Sequence, residues 1–215
     1  MKALVQRLGY ANTVTLVRIV CIPVFLVVWL ADWPAWFGIR TVLYQARPWL
    51  ALLLFVLLAV TDLLDGYLAR SRGEVSPLGA FIDPLADKLL VTAALLALIQ
   101  IGLLPAWVAF VIIAREFVVS GLRMVAAEQQ VVIAASMYGK VKTVLQIAAI
   151  VLFIPMGSLW YLRLSLSLQD LYYTGAWIVM WAAVVMTIVS MLEYFANAIK
   201  VMEVPWKRTA NYTQK

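Results

Sequence analysis

Four aspartates lie close together in the sequence, and their spacing suits the binding of cations. Asp62 and Asp65 are three residues apart, and Asp83 and Asp87 are four residues apart. On a helix, either spacing places both carboxylates on one face. Because only the short segment 71–78 separates the two stretches, we expect two antiparallel helices that bring all four carboxylates to one end of a bundle.

These carboxylates adjoin long apolar stretches, so they require positive charge nearby. An aspartate at the centre of a membrane helix costs about 2.5–3.5 kcal/mol, and four together also repel one another. Four carboxylates balance two divalent cations, and a site with oxygen ligands alone favours hard ions such as Mg²⁺ or Mn²⁺. The alternative is that the carboxylates are solvated at the membrane interface and pair in part with Arg70, Arg72 and Lys88.

Small residues accompany the aspartates on both predicted helices. Gly66 and Ala69 are three residues apart, and Gly79 lies one turn before Asp83. A strip without large side chains lets a ligand approach closely, although packing between helices explains such a strip equally well. Arg70, one turn after Gly66, is suited to pair with a phosphate that bridges the metal ions.

The whole acidic motif resembles the signature of a known family. It consists of Asp62-x-x-Asp65-Gly66-x-x-Ala69-Arg70 followed, after eight residues, by Gly79-x-x-x-Asp83-x-x-x-Asp87. This pattern is similar to that of the CDP-alcohol phosphotransferases. The resemblance implies transfer of a phosphatidyl or substituted phosphoryl group from a CDP-linked donor to an alcohol, with release of CMP. It also implies the six-helix membrane fold of that family.

The resemblance also implies a role for each matching residue. Asp62, Asp65 and Asp83 would hold a two-metal site, and Asp87 would be the general base for the acceptor hydroxyl as well as a metal ligand. The residues implied in binding the CDP moiety of the donor are Gly66, Ala69, Arg70, Gly79 and, in the hairpin, Ser76.

A group of basic residues follows in the fourth and fifth apolar stretches. Arg115 and Arg123 lie on the fourth, and Lys140 and Lys142 open the fifth, where a helix N-terminus itself attracts anions. Such a group suits an acceptor that carries its own phosphate. The alternative is that these cations anchor their helices by reaching lipid headgroups. We expect Glu116 to orient a neighbouring cation.

Two further patterns narrow the resemblance within the family. They are Arg115-Glu-x-x-x-Ser-Gly-Leu-Arg123 and, near the N-terminus, Asn12-x-x-Thr15-x-x-Arg18. Both resemble members that use CDP-diacylglycerol as donor and sn-glycerol 3-phosphate as acceptor, which implies phosphatidylglycerophosphate and CMP as products. Another acceptor, such as inositol phosphate or serine, is the alternative.

The resemblance also implies that Asn12 and Thr15 line the donor site. The alternative for Asn12 is that it is the N-cap of the first helix. The resemblance further implies a homodimer.

The composition is that of a membrane protein. The chain has 215 residues, of which 65% are hydrophobic and 13% charged, whereas soluble domains have about 45–50% and about 25%. There is no histidine and one cysteine, Cys21, which excludes histidine-dependent catalysis and an internal disulfide. The net charge of +6 suits anionic lipids or an anionic substrate, and we expect no nucleic-acid partner.

Six apolar stretches are long enough to cross a bilayer, which takes about 20 residues. We therefore predict an all-α integral membrane protein with six transmembrane helices in one domain, residues 1–215. Residues 1–12 are expected to form a short amphipathic helix on the membrane surface, and residues 205–215 a cytoplasmic tail. The predicted spans are Val14–Ala31, Trp49–Tyr67, Ile82–Ile101, Pro105–Ala127, Lys140–Trp160 and Tyr172–Ile199.

The distribution of Lys and Arg predicts the orientation. With the N-terminus in the cytoplasm, the outer loops Trp33–Pro48 and Leu159–Leu171 hold Arg40, Arg47 and Arg163, out of 17 Lys and Arg in all. We therefore expect an inner-membrane protein with both termini and the active site on the cytoplasmic side. A divalent-cation transporter is the alternative outside the transferases, but it requires acidic residues along a path across the bilayer, which the outer half lacks.

Overall fold

The computed structural model describes residues 10–31, 40–72, 77–128 and 137–210. Within these ranges, it describes the side chains of 15–31, 45–61, 86, 88–126 and 137–199. Every regular element in the described ranges is helical, as the sequence predicts. The elements are α1 (Tyr10–Leu30), α2 (Arg40–Arg72), α3 (Pro77–Gln100), α4 (Ala106–Glu128), α5 (Met137–Phe153), a 3₁₀ turn (Ile154–Gly157), α6 (Leu159–Leu162) and α7 (Leu166–Ala210).

The turn between α3 and α4 shows how local sequence ends one helix and starts the next. The Leu103 amide donates to the Leu98 carbonyl, and the Gly102 amide donates to the Ile99 carbonyl, both at 3.0 Å. This pattern is a Schellman motif, and it requires the left-handed conformation that Gly102 adopts, with φ of 76°. Pro105 immediately precedes α4. The third and fourth predicted spans end and begin at this turn, as expected.

Two expectations at the N-terminal side are corrected by the structure. Asn12 lies inside α1, which already includes Tyr10, so the prediction that Asn12 is the N-cap was wrong. The predicted outer loop Trp33–Pro48 is partly helical, because α2 begins at Arg40 and contains Pro48. Membrane helices tolerate an internal proline where neighbouring groups satisfy the freed carbonyl. Most of the predicted surface helix, residues 1–9, lies outside the described residues.

The fifth predicted span consists of an α-helix and a 3₁₀ turn instead of one continuous α-helix. A single helix was predicted over Lys140–Trp160, but α5 ends at Phe153 and a buried 3₁₀ turn follows. Pro155 explains the change, since it has no amide hydrogen to donate and disfavours the α conformation of the residue before it. Ser158 then starts α6 by accepting a hydrogen bond from the Tyr161 amide at 3.3 Å.

The helices pack as two groups, which contact each other through α2, α3, α4 and α5. The first helix, α1, packs against α2 and α3, while α7 packs along α5 and also contacts α4. In the first group, the ring of Phe25 lies 5.5 Å from that of Trp29 and 6.1 Å from that of Phe55. Small residues allow close helix approach in membranes, and the buried core includes Ala51, Ala86, Ala93, Ala94, Ala97, Ala109, Ala149, Ala176, Ala183 and Ala198.

Large apolar side chains also cover the outer surface. Phe110, Phe117 and Met124, which share one face of α4 at seven-residue spacing, are 70%, 69% and 67% exposed. Such a surface is stable in lipid and unstable in water. Two described stretches, Met137–Gly157 and Leu166–Ile199, are long and apolar enough to cross a membrane, and shorter apolar helices cover Thr15–Leu30, Gln45–Thr61 and Lys88–Gln100. These features indicate a helical membrane protein.

Candidate active site

The acidic motif lies at the C-terminal end of α2 and in the first half of α3. The backbone is helical at Asp62 and Asp65 and again at Asp83 and Asp87, as the spacing argument requires. Four residues connect α2 to α3, and such a segment reaches at most about 18 Å. The two acidic pairs therefore lie on helices that are held close together at this end. The side chains of all four aspartates are outside the described ones.

The residues implied in donor binding divide between the same two helices. Gly66, Ala69 and Arg70 lie in the last turns of α2, and Gly79 lies in the first turn of α3, whereas Ser76 is outside the described residues. On α1, Asn12 is helical and the side chain of Thr15 is buried. The structure thus places these residues on three helices that pack against one another.

The acidic motif also fits divalent cations by its chemistry. Its candidate ligands are carboxylates alone, which Mg²⁺ and Mn²⁺ prefer. Helical backbone at both pairs keeps the members of each pair on one helix face, at three- and four-residue spacing. The donor set and the backbone are therefore compatible with metal binding by Asp62, Asp65, Asp83 and Asp87.

A hydrogen bond connects this part of α3 to α4. The Lys88 ammonium, one residue after Asp87, donates to the Ser120 hydroxyl, and that hydroxyl donates to the Glu116 carbonyl oxygen at 2.7 Å. The turn of α3 that carries Asp87 therefore packs beside the turn of α4 that carries Glu116 and Arg115. This contact joins the part of α3 around Lys88 to the part of α4 one turn after Glu116.

Glu116 joins the two buried cations of the basic group. Its Oε1 atom accepts hydrogen bonds from Lys142 Nζ on α5 and from Arg115 Nη1, the latter at 3.3 Å. The side chains of Arg115 and Lys142 are only 9% and 4% exposed, and that of Glu116 is 20% exposed. Three charged groups with a net charge of +1 therefore meet between α4 and α5. Glu116 orients its neighbouring cations, as expected.

A polar face on α7 completes the cluster. Arg115 Nη2 donates to the Ser190 hydroxyl at 2.8 Å, and Gln146 Nε2 donates to the Thr187 hydroxyl at 3.2 Å. Neither Thr187 nor Ser190 was predicted from the sequence as part of the site. The sequence signal that could have identified them is a pair of hydroxyl residues, three positions apart, within an apolar stretch. On a helix, this spacing places both residues on one face. Both are fully or almost fully buried.

The structure does not bring all four predicted acceptor-binding cations together. Arg115 and Lys142 meet at Glu116, whereas Arg123 and Lys140 are exposed. Arg123 lies two turns, or about 12 Å, beyond Arg115 along α4, and its guanidinium lies 5.6 Å from the centre of the Tyr194 ring. The group therefore consists of a buried pair and two surface cations.

Comparison with known proteins identifies the family. The family model for CDP-alcohol phosphatidyltransferase matches residues 8–189. The chain belongs to this family. The matched residues include the acidic motif, Glu116 and all four basic residues, while Ser190 lies just beyond them.

Bacterial members of the family are similar over most of their length. A Bacillus subtilis protein named CDP-diacylglycerol–glycerol-3-phosphate 3-phosphatidyltransferase is 43% identical over 191 residues, which cover 86% of this chain and 93% of the relative. A Rickettsia bellii protein of the same name is 35% identical and covers 86% and 92%. A Mycobacterium tuberculosis protein named "Probable phosphatidylglycerophosphate synthase" is 37% identical and covers 88% and 81%.

Proposed function

We propose that this family member transfers the phosphatidyl group of CDP-diacylglycerol to sn-glycerol 3-phosphate, giving phosphatidylglycerophosphate and CMP. The observation that carries the proposal is the contact between Lys88, the residue after Asp87, and Ser120, which is one turn after Glu116 and its two buried cations. An acidic site for metal and a cationic site for phosphate on adjacent turns suit a phosphorylated acceptor. The names of the Bacillus and Rickettsia relatives support the same reaction.

In this proposal the acidic motif activates both reactants. Asp62, Asp65, Asp83 and Asp87 would hold two divalent cations, Mg²⁺ or Mn²⁺, and these ions would supply positive charge to the phosphoryl oxygens and to the departing CMP. Asp87 accepts the proton of the acceptor hydroxyl. The freed oxygen forms a bond to the phosphorus that carries diacylglycerol, and the bond from that phosphorus to CMP breaks. No covalent enzyme intermediate is required.

The other residues hold the two substrates in place. Arg70 pairs with the pyrophosphate of the donor, and the small residues Gly66, Ala69 and Gly79 leave room for the CDP moiety. Ser76, Asn12 and Thr15 add donor contacts. On the acceptor side, Arg115 and Lys142 bind the phosphate of glycerol 3-phosphate, while the exposed Lys140 and Arg123 attract it from solution.

The position in the membrane follows from the helices and from the charge distribution. We propose six transmembrane helices, corresponding to α1 to α5 and α7, in the bacterial inner membrane. Both termini and the active site lie on the cytoplasmic side, where glycerol 3-phosphate enters. CDP-diacylglycerol reaches the site from the bilayer, with its acyl chains against the apolar surface beside α2 to α4. The active form is a homodimer.

The test is release of CMP by the purified chain in detergent with CDP-diacylglycerol and Mg²⁺. Glycerol 3-phosphate, inositol phosphate and serine are offered separately. We expect release with glycerol 3-phosphate alone, and loss of release with EDTA or in Asp87→Asn. Release with another acceptor alone would contradict the acceptor assignment. No release with any acceptor would contradict the proposed reaction and would favour a cation transporter.

A further inference from the structure

The carboxylate of Glu116 is shared by two cations from different helices. Arg115 on α4 and Lys142 on α5 both donate to its Oε1 atom, and both cations are almost fully buried. Two cations that donate to the same oxygen atom lie close together and repel each other, and burial has removed most of their hydration. A carboxylate between them offsets both costs, so the position of each cation depends on Glu116.

Ser190 makes a second contact that fixes the orientation of the Arg115 guanidinium. Its hydroxyl accepts from Arg115 Nη2 at 2.8 Å and donates to the Thr187 carbonyl oxygen at 3.2 Å. The guanidinium is planar and rigid, so contacts at Nη1 and Nη2 with different helices determine the orientation of the whole group. The hydrogen bonds of Arg115 therefore connect α4 to α7, while Glu116 connects α4 to α5.

The cluster keeps donors available after these bonds are made. A guanidinium has five N–H groups and an ammonium has three. Arg115 Nε has no hydrogen-bond partner among the described residues although it is buried. Each of the other described bonds of Arg115 and Lys142 uses a single N–H group. The cluster combines its net charge of +1 with several N–H groups, which is the chemistry that recognises a phosphate monoester.

We propose that Glu116 is a positioning residue of the acceptor site, which holds Arg115 and Lys142 at the spacing that a phosphate monoester requires, and that Ser190 assists by orienting Arg115. This inference rests on the proposed function. Glu116 itself does not touch the acceptor. Its carboxylate keeps two like charges close together so that both donate to the same phosphate.

The first test is the steady-state kinetics of Glu116→Gln in detergent, with both substrates varied. Glutamine keeps the size of the side chain but removes the charge. We expect the KM for glycerol 3-phosphate to rise by about tenfold or more. We also expect kcat to stay within about threefold and the KM for CDP-diacylglycerol to be unchanged. Glu116→Asp keeps the charge and should restore part of the lost affinity. The matched control is Asp170→Asn, which should behave as wild type. Asp170 is an exposed acidic residue near the start of α7.

A second variant keeps the proposal testable if Glu116→Gln does not fold. Ser190→Ala should raise the KM for glycerol 3-phosphate by about three- to tenfold without an effect on the KM for the donor. The exposed Ser167→Ala is its control. Calorimetric titration with glycerol 3-phosphate, without donor, should show the same loss of affinity in both cluster variants.

The outcomes separate this inference from the proposed function. An unchanged KM for glycerol 3-phosphate in Glu116→Gln would overturn the positioning role. A lower KM would overturn it too, because Glu116 would then compete with the phosphate for the two cations. An equal rise in the KM of both substrates would indicate a purely structural role. Failure of the wild-type chain to release CMP would instead contradict the proposed function.

Discussion

The ammonium of Lys88 on α3 donates a hydrogen bond to the hydroxyl of Ser120 on α4. Lys88 is the residue after Asp87, and Ser120 is one turn after Glu116. This contact therefore joins the segment of α3 that carries the proposed general base to the segment of α4 that carries Glu116. Placing reactants and catalytic groups in fixed geometry is a main source of rate enhancement for a direct transfer between two substrates.

The first prediction concerns this contact. Ser120→Ala removes the acceptor of one Lys88 hydrogen bond, so the turn of α3 that carries the proposed metal ligand Asp87 is held less firmly and metal binding should weaken. We expect the Mn²⁺ concentration for half-maximal CMP release to rise by about threefold. The substitution should not destabilise α4, because the Ser120 hydroxyl bonds to the backbone of its own helix and alanine is a better helix former. Ser167→Ala is the control. An unchanged Mn²⁺ dependence in Ser120→Ala would contradict a connection between the Lys88–Ser120 contact and metal binding.

The second prediction concerns the general base. Asp87→Asn preserves the size of the side chain but removes its ability to accept a proton. We expect kcat to fall by about 10²- to 10⁴-fold, while binding of CDP-diacylglycerol remains. The measurements are CMP release and equilibrium binding of the donor in the presence of Mg²⁺. Turnover at the wild-type rate would show that Asp87 is not the base, whereas a loss of donor binding of the same size would assign it mainly to the metal site.

The third prediction concerns the metal ions. Chelation with EDTA should abolish CMP release, and Mg²⁺ or Mn²⁺ should restore it, because carboxylate ligands favour hard cations. Titration of the metal-free chain with Mn²⁺, followed by electron paramagnetic resonance, should show two bound ions per chain in the presence of the donor. Asp62→Asn should bind fewer. Full activity in EDTA would contradict a metal-assisted mechanism.

Helix positions were largely predictable because they depend on local features. The apolar runs, the glycine at 102 and the proline at 105 determine where α3 ends and α4 begins, and the turn lies where the sequence places it. The break after Phe153 was equally local, but the apolar run around Pro155 concealed it. Conversely, Pro48 is inside α2, because contacts with other helices can compensate for a proline in a membrane protein.

The pairing of side chains was much less predictable. The sequence indicated that Glu116 orients a cation, since Arg115 is its neighbour and other basic residues follow. It did not indicate that Ser190, 75 residues away, contacts the same arginine, because that contact depends on how α7 packs against α4. The predicted acceptor group likewise divides into buried and exposed members, a distinction that charge and hydropathy alone do not make.

The fourth prediction uses this division of the basic group. Arg115→Ala and Lys140→Ala together should raise the KM for glycerol 3-phosphate far more than the KM for the donor. The structure predicts unequal single effects, since Arg115 is buried in the cluster and Lys140 is exposed. We expect most of the loss from Arg115→Ala, whereas Lys140→Ala should act mainly at low ionic strength. Equal effects on both substrates would argue that these residues only anchor their helices.

The last prediction concerns stability rather than chemistry. Gln146 on α5 donates to Thr187 on α7 at 3.2 Å, and both side chains are buried. Thr187→Val keeps the shape of the side chain but leaves the amide of Gln146 without this acceptor. Hydrogen bonds between membrane helices contribute about 0.6 kcal/mol on average and at most about 1.7 kcal/mol. We therefore expect the free energy of unfolding to fall by an amount in that range.

The measurement is reversible unfolding in mixed detergent micelles, with kinetics determined on the folded fraction. The KM for both substrates should remain at the wild-type value in Thr187→Val, because Thr187 does not contact Arg115 or Lys142 through its side chain hydroxyl. In contrast, Ser190→Ala, one turn further along α7, should change the KM for glycerol 3-phosphate. If both variants changed KM equally, the polar face of α7 would act as one structural unit. If only Ser190→Ala did so, the face would divide into a part that stabilises α5 against α7 and a part that orients the acceptor site.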